Sequence, residues 1–409
     1  MLRTPMLTVT TRNSVSLYPW QVSPGLPAGG PVLGLDLLAA GGVFHYDPWR
    51  LYAAGVITNP NMLVIGQLGT GKSALVKTYL HRQLRAGRWV GVLDPKGEYQ
   101  PLAAHARLAH LALRPGGSDR LNPLDPPAGQ ADPAGITRHR ATVAHTLAAC
   151  GLGRALTAEE RAGITTAVAT LPLHAVLADL ISRLFDPDST MSTALATTPE
   201  RLADAVRPAA LELGRLLDGD LAGLLDGPTT IRDTDATRGL VVDLSAVFGT
   251  DALPPVMAGV AGWLTRQISR PAGPPRILAL DEAWALLAQP ATTGWLQTTA
   301  KLARSHGVQL ILITHRISDL SAQADAGSVA EKQAAGLLAD TGTQVIHYQS
   351  TGERDAAARL LGLTAAETDG ICQLPAHRAL WRIGGRTALV DHVLAPGDNQ
   401  LVDTNQRMT

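Results

Sequence analysis

An α/β fold with a mostly parallel sheet is what this sequence predicts, and three observations predict it. The first is Gly66-Gln67-Leu68-Gly69-Thr70-Gly71-Lys72-Ser73, which fits the phosphate-binding pattern G-x-x-x-x-G-K-[ST]. The second is the flanks of that stretch. Residues 61–65 form a short apolar run that reads as a buried strand, and residues 73–84 carry apolar side chains at helical spacing. The third is the repetition downstream, where apolar runs near 89–93, 108–113, 239–244, 276–281, 308–314 and 344–348 are separated by longer, helix-period segments. Buried strands alternating with helices imply βαβ connections and a parallel sheet.

Each position of the loop has a physical task. Glycines at 66, 69 and 71 let the backbone wrap closely, so that the N–H groups of Gly66, Gln67, Leu68, Gly69, Thr70, Gly71, Lys72, Ser73 and Ala74 can converge on phosphate oxygens. Lys72 neutralises the outer phosphates, the Ser73 hydroxyl suits Mg²⁺, and the helix beginning there offers its positive end to an anion. ATP and Mg²⁺ are the expected ligands.

Composition fits this reading and narrows it. Of the 409 residues, 45% are hydrophobic and 17% charged, which excludes a disordered chain. The 35 basic residues equal the 35 acidic ones, so a protein that coats itself in nucleic acid is disfavoured, although a local basic pore in an oligomer is not. The two cysteines, Cys150 and Cys372, lack metal-ligand spacing and suit a reducing, cytoplasmic compartment. No apolar run approaches the ~20 uncharged residues needed to span a bilayer, and the start lacks a signal-peptide layout.

Five segments are expected. Residues 1–58 form a Pro/Gly-rich lead-in, with a short strand pair near 8–17 and 43–45. The aromatic Tyr46-Asp47-Pro48-Trp49 group there either packs on the core or flanks the nucleotide base. Residues 59–133 hold the first part of the core. Residues 134–226 read as an all-helical insertion, with a capping box at Thr157…Glu160 and a Thr198-Pro199 helix start. Residues 227–396 resume the core. They end in box-like helix starts at Ser350…Glu353 and Thr364…Glu367 and in a β-hairpin over 379–383 and 386–390, with Gly384-Gly385 as its turn. Residues 397–409 are a tail.

The phosphate loop needs a second, acidic strand. Residues 277–280 are apolar and run into Asp281-Glu282, which places carboxylates at the carboxyl edge of the sheet. Asp281 is then the Mg²⁺ partner, with Ser73, and Glu282 polarises the attacking water. Thr314 and His315 end the next strand, between the loop and the acidic strand. His315 is either a sensor of the terminal phosphate or a surface residue. In Asp94-Pro95-Lys96-Gly97-Glu98-Tyr99, the carboxylates of Asp94 and Glu98 either approach the phosphate or belong to an ordinary polar turn. Arg304 is the first candidate, and Arg354 the second, for an arginine supplied across a subunit interface. Each also reads as a solvated or helix-terminal arginine. No Asn-Lys-x-Asp or Leu-Ser-Gly-Gly-Gln string is present, which argues against small GTPases and ABC transporter ATPases.

Taken in order, Gly66–Ser73, Asp94-Pro-Lys-Gly-Glu-Tyr99, Gly227-Pro-Thr-Thr230, Asp281-Glu-Ala-Trp284 and Lys301…Arg304…Thr314 resemble the TraC-like conjugative-transfer ATPases of type IV secretion systems, within the FtsK–HerA superfamily of P-loop motors. The resemblance covers roughly residues 33–396. It implies a RecA-like core, a homo-hexamer, ATP hydrolysis with Lys72, Ser73, Asp281 and Glu282 in the catalytic roles, and partners among the components of a membrane-embedded channel, with DNA as a further partner. It implies a cytoplasmic protein, peripheral at the inner face of the membrane. Two departures stand out. Histidine occupies position 315, where the family commonly has glutamine, and the loop begins too early to leave room for the usual N-terminal domain. A soluble double-stranded DNA translocase of the same superfamily and a non-hydrolysing nucleotide-binding scaffold are the alternatives.

Overall fold

The computed structural model describes residues 25–27, 29–126, 132–218, 221–231, 238–268, 273–287, 306–315 and 341–402, with positions 293, 294, 296, 297, 299–301 and 336. Its strands are β1 (Val32–Asp36), β2 (Gly42–His45), β3 (Met62–Ile65), β4 (Trp89–Asp94), β5 (Ala109–Ala112), β6 (Gly239–Asp243), β7 (Arg276–Leu280), β8 (Val308–Thr314), β9 (Thr343–Ile346), β10 (Arg378–Ile383) and β11 (Arg386–His392). Its helices are α1 (Pro48–Ala53), α2 (Lys72–Arg85), α3 (Gln100–Ala106), α4 (Pro133–Leu152), α5 (Ala158–Ala169), α6 (Leu177–Phe185), α7 (Ser189–Ala194), α8 (Pro199–Arg215), α9 (Leu253–Ile268), α10 (Trp284–Leu287), α11 (Arg354–Leu361), α12 (Ala365–Ile371) and α13 (Asn399–Val402).

All the strands join one sheet in the order β2-β1-β11-β10-β9-β3-β8-β7-β4-β6-β5. From β9 to β5 every pairing is parallel, whereas β10, β11, β1 and β2 extend the sheet antiparallel. The parallel strands are apolar on both faces, as expected of strands covered by helices on both sides. In β3, Leu63 and Ile65 join a core shared with the helices α4–α9, while Met62 and Val64 join the opposite core with Val76, Tyr79 and Leu80 of α2. The α/β class with a mostly parallel sheet is therefore the one observed.

The helices α4–α8 lie between β5 and β6 in the chain. The Thr157…Glu160 capping box forms, with Glu160 N–H donating to Thr157 Oγ1 at 3.1 Å and Thr157 N–H to Glu160 Oε2 at 2.8 Å. The α4 helix lies close on α9, where a Cβ on Gly262 would come within 3.1 Å of Val143. Arg140, buried in α4, donates to the carbonyls of Leu124 (2.7 Å), Pro172 (2.9 Å) and Leu173, so one guanidinium ties α4 to two loops.

Several expectations need correction. The segment before β3 is more than a lead-in. Residues 43–45 lie in β2, which pairs with β1, and β1 docks on β11; positions 8–17 lie outside the described residues. Gly34 permits that docking, since a Cβ there would stand 2.1 Å from the Asp391 carbonyl. Asp47-Pro48 proves to be a helix start, with the Asp47 carboxylate accepting from the N–H of Trp49 and Arg50 and proline at the first turn. Tyr46 is fully buried against Tyr79 and Trp381 and donates to Thr343 Oγ1 at 2.9 Å, so it packs in the core. The box read at Ser350…Glu353 does not form, because Glu353 itself stands at the cap of α11 without a side-chain capping bond. The box at Thr364…Glu367 does form. The C-terminal hairpin turns at Gly384, which has φ +57°, with Ile383 opposite Arg386. Of the helix expected over 292–305, positions 293, 294, 296, 297 and 299–301 are described and are helical, and the rest lie outside the described residues.

Candidate active site

The carboxyl ends of β3, β8, β7 and β4 lie side by side, and each delivers a polar group to one edge of the sheet. The phosphate loop joins β3 to α2. Gly69 (φ +76°) and Gly71 (φ +99°) take left-handed backbone that side chains resist, and Gly71 caps α2. Thr70 Oγ1 donates to the Gln67 carbonyl at 2.7 Å, which closes the loop on itself. Gln67 N–H donates to the Tyr348 carbonyl at 3.1 Å, Leu68 is exposed at the tip, and Ala74 lies in the first turn of α2. Lys72 is buried, and its ammonium donates to the carbonyls of Gly66 and Gln67, the latter at 2.7 Å. Burial pushes its pKa down to about 8, against the upward pull of Asp281 and Glu282.

Asp281 and Glu282 follow β7 directly. Asp281 N–H donates to the Leu93 carbonyl at 3.1 Å, and its carboxylate accepts from Glu282 N–H at 2.9 Å. Burial, followed by the charges of Glu282 and Asp94, pushes the Asp281 carboxyl up to about 7. Such a carboxylate gains from a nearby cation. Asp281 and the Ser73 hydroxyl are hard oxygen donors of the kind Mg²⁺ takes, and the buried Thr314 Oγ1 on the neighbouring strand has no hydrogen-bond partner among the described residues. The donor set therefore fits Mg²⁺, with Ser73 and Asp281 as the groups that would hold it.

Glu282 is held in an uncommon conformation, with φ +51° and its side chain buried. Its Oε2 accepts from the Trp284 indole at 2.5 Å. Its Oε1 meets His315 Nε2 at 2.6 Å and the Lys96 ammonium. Burial alone would raise this carboxyl, but His315 and Lys96 outweigh it and hold the pKa at about 2, so Glu282 stays charged. His315 is thus part of the glutamate's own cluster.

The remaining expected residues divide. Asp94 ends β4, but its oxygens are taken by the N–H groups of Lys96 (3.3 Å), Glu98 (3.1 Å) and Tyr99 (2.8 Å), so its carboxylate shapes its own loop. Burial pushes it up to about 6. Glu98 faces Lys77 of α2 at 3.8 Å. Arg354 turns its guanidinium to Asp355 and Asp369, away from this cluster, and Arg304 lies outside the described residues.

Three residues were missed. Lys96 was overlooked beside the carboxylates of its own loop. His347 follows β9, on the far side of β3. It is fully buried, its Nδ1 meets the Thr70 carbonyl at 3.1 Å, and its Cβ stands where any Cβ on Gly66 would fall. His377 donates its N–H to the same Thr70 carbonyl at 3.1 Å and packs on Gly71. For His347 the available signal was the one that found Asp281, a polar residue just past an apolar strand, whereas His377 stands before β10 and carried no such signal.

No protein-family model matches the chain, and no curated protein matches it significantly. Among solved structures it is similar to VirB4 of Thermoanaerobacter pseudethanolicus, with a TM-score of 0.74 and 22% identity over 92% of this chain and 99% of that one. It is also similar to the plasmid coupling protein TrwB. The TrwB complex with the non-hydrolysable ATP analogue ADPNP has a TM-score of 0.61 and 17% identity, over 90% of each chain. A second TrwB complex, with ADP and Mg²⁺, gives the same TM-score over 90% of this chain and 91% of that one. The chain shares the fold of these proteins.

Proposed function

We propose that this chain is an ATP-hydrolysing motor of the kind that powers conjugative DNA transfer or type IV secretion. The observation that carries the reading is the placement of Glu282. A buried, charged carboxylate stands two strands from the glycine loop of Lys72, in a fold shared with a coupling protein solved with ADPNP and with ADP and Mg²⁺.

In this reading the loop N–H groups and Lys72 hold the outer phosphates of ATP. Lys72 exchanges the carbonyls of Gly66 and Gln67 for phosphate oxygens, a stronger, charge-assisted pairing. Ser73 and Asp281 hold Mg²⁺, which supplies charge neutralisation at the phosphates. Glu282 accepts a hydrogen bond from the attacking water and aims it at the terminal phosphorus. Its charge polarises that water as the bond to phosphorus forms, in a transfer governed largely by positioning and electrostatics. His315 steadies Glu282. The motor works as a homo-hexamer with an arginine crossing the interface, and it sits at the inner face of the membrane through channel partners. Among the described residues, no helix is long and apolar enough to cross a membrane.

The test is hydrolysis of ATP by the purified protein, with and without DNA. Turnover that Lys72→Ala abolishes, together with tight nucleotide binding, supports the reading. Stimulation by DNA assigns the load to DNA, and indifference to DNA favours protein secretion. Binding without turnover would replace the motor with a nucleotide-binding scaffold.

A further inference from the structure

The loop after β4 carries Lys96 to the catalytic glutamate, and the way it does so is specific. Asp94 gathers three N–H groups of its own loop, and Gly97 (φ +70°) completes the turn against Ser245. Because β4 neighbours β7, this turn lies beside Asp281-Glu282. The Lys96 side chain is 22% exposed and has two other neighbours. Its ammonium stands 5.6 Å from the centre of the Phe248 ring and 2.9 Å from His315 Nε2.

The hydrogen-bond inventory of this trio does not close. Glu282 Oε1, His315 Nε2 and Lys96 Nζ are mutually in contact. If Nε2 carries a proton and donates to Glu282, that N–H faces the lysine ammonium, donor against donor. If Nε2 accepts from Lys96, its lone pair faces the charged glutamate oxygen. One contact is always in conflict. Lys96 is the member free to leave, since it sits two residues into a loop on a long side chain, whereas Glu282 is buried and His315 directly follows β8 on a shorter, stiffer side chain. Its charge already reaches across the site, because Lys96 is among the groups that push the Lys72 ammonium toward neutrality, after burial. Two ammonium groups near enough to repel one another favour an anion between them.

We propose that Lys96 is a ligand of the terminal phosphate of the nucleoside triphosphate. It leaves Glu282 when that phosphate arrives, and so frees the glutamate oxygen for water. This inference rests on the nucleotide-hydrolysing reading and adds a specificity-determining residue to it. With a diphosphate, Lys96 stays on Glu282 and contributes nothing to binding. Lys96 thereby separates ATP from ADP.

Calorimetric titration with the imido analogue of ATP and with ADP, each with Mg²⁺, tests this on the wild type, Lys96→Met and Lys96→Arg. Lys96→Met is expected to lose about tenfold in affinity for the imido analogue, the worth of one charge-assisted contact, and less than about twofold for ADP. Lys96→Arg, which keeps the charge and the reach, is expected to recover most of that loss. A merely structural role would move both nucleotides together. Equal losses for the two nucleotides, or no loss for either, overturns the inference while leaving the hydrolytic reading intact. A wild type that binds neither nucleotide overturns both.

Discussion

At the scale of single residues, the site is assembled from groups that are costly to place. Glu282 combines a left-handed backbone with a buried charge, two features that persist only where the surroundings enforce them. The enforcing partners are Trp284, His315 and Lys96. His347 is the counterpart behind the phosphate loop, where its ring and the N–H of His377 both reach the Thr70 carbonyl. His347→Ala removes one of those bonds and leaves a void where the ring packs against His392. Affinity for an ATP analogue is predicted to fall about tenfold in titration calorimetry. His347→Asn, whose amide nitrogen overlays the ring Nδ1, is predicted to lose less.

At the scale of elements, Gly71 and Arg140 are the positions most exposed to change. A Cβ at Gly71 meets both a left-handed φ of +99° and His377 Nδ1 at 3.0 Å. Gly71→Ala is predicted to cost about 1–3 kcal/mol in denaturant unfolding and to weaken nucleotide binding, because the cap of α2 must shift. Arg140→Ala removes three hydrogen bonds at once and strands the buried Leu124 carbonyl, and a loss of about 2–3 kcal/mol is predicted by the same measurement. The alternation of strands with the loop, and the acidic strand end at Asp281-Glu282, were legible in the sequence because each is local. The strand order around the loop was legible only in part. It placed Thr314 and His315 between loop and glutamate, as β8 lies between β3 and β7. The run over 344–348, which contains His347, read merely as a strand, since nothing local says that β9 pairs with β3. The docking of β1 on β11 was hidden for the same reason, and a chain-local reading of 32–36 shows only a Pro/Gly-rich stretch. Lys96 was illegible because its partner depends on how Asp94 bends the loop.

At the scale of the molecule, the helices α4–α8 and the sheet meet close to the glutamate. Trp284, which holds Glu282, also lines a cavity of about 550 Å³ whose other walls include Cys150, Arg215 and Phe248. On the opposite side of the loop, buried histidines make stability depend on pH. His392 packs against His347 and Trp381. Burial lowers its pKa from 6.5 to about 4, against the pull of the His377 backbone and Asp391, while His377 and Arg82 lower it further. The folded pKa is depressed, so the unfolded chain binds more protons between these values. Stability present above about 6.5 is then lost as pH falls toward about 4, by on the order of 3 kcal/mol. Denaturant unfolding across this window is predicted to show a shallower pH slope for His392→Gln than for the wild type.

The most direct measurement is phosphate release from ATP and Mg²⁺ by the purified protein and by Glu282→Gln, with nucleotide binding followed alongside. The predicted result is steady turnover by the wild type and a loss of at least about 100-fold in Glu282→Gln, with binding retained. Turnover that survives in Glu282→Gln, or a wild type that binds ATP and never hydrolyses it, would contradict the role assigned to Glu282.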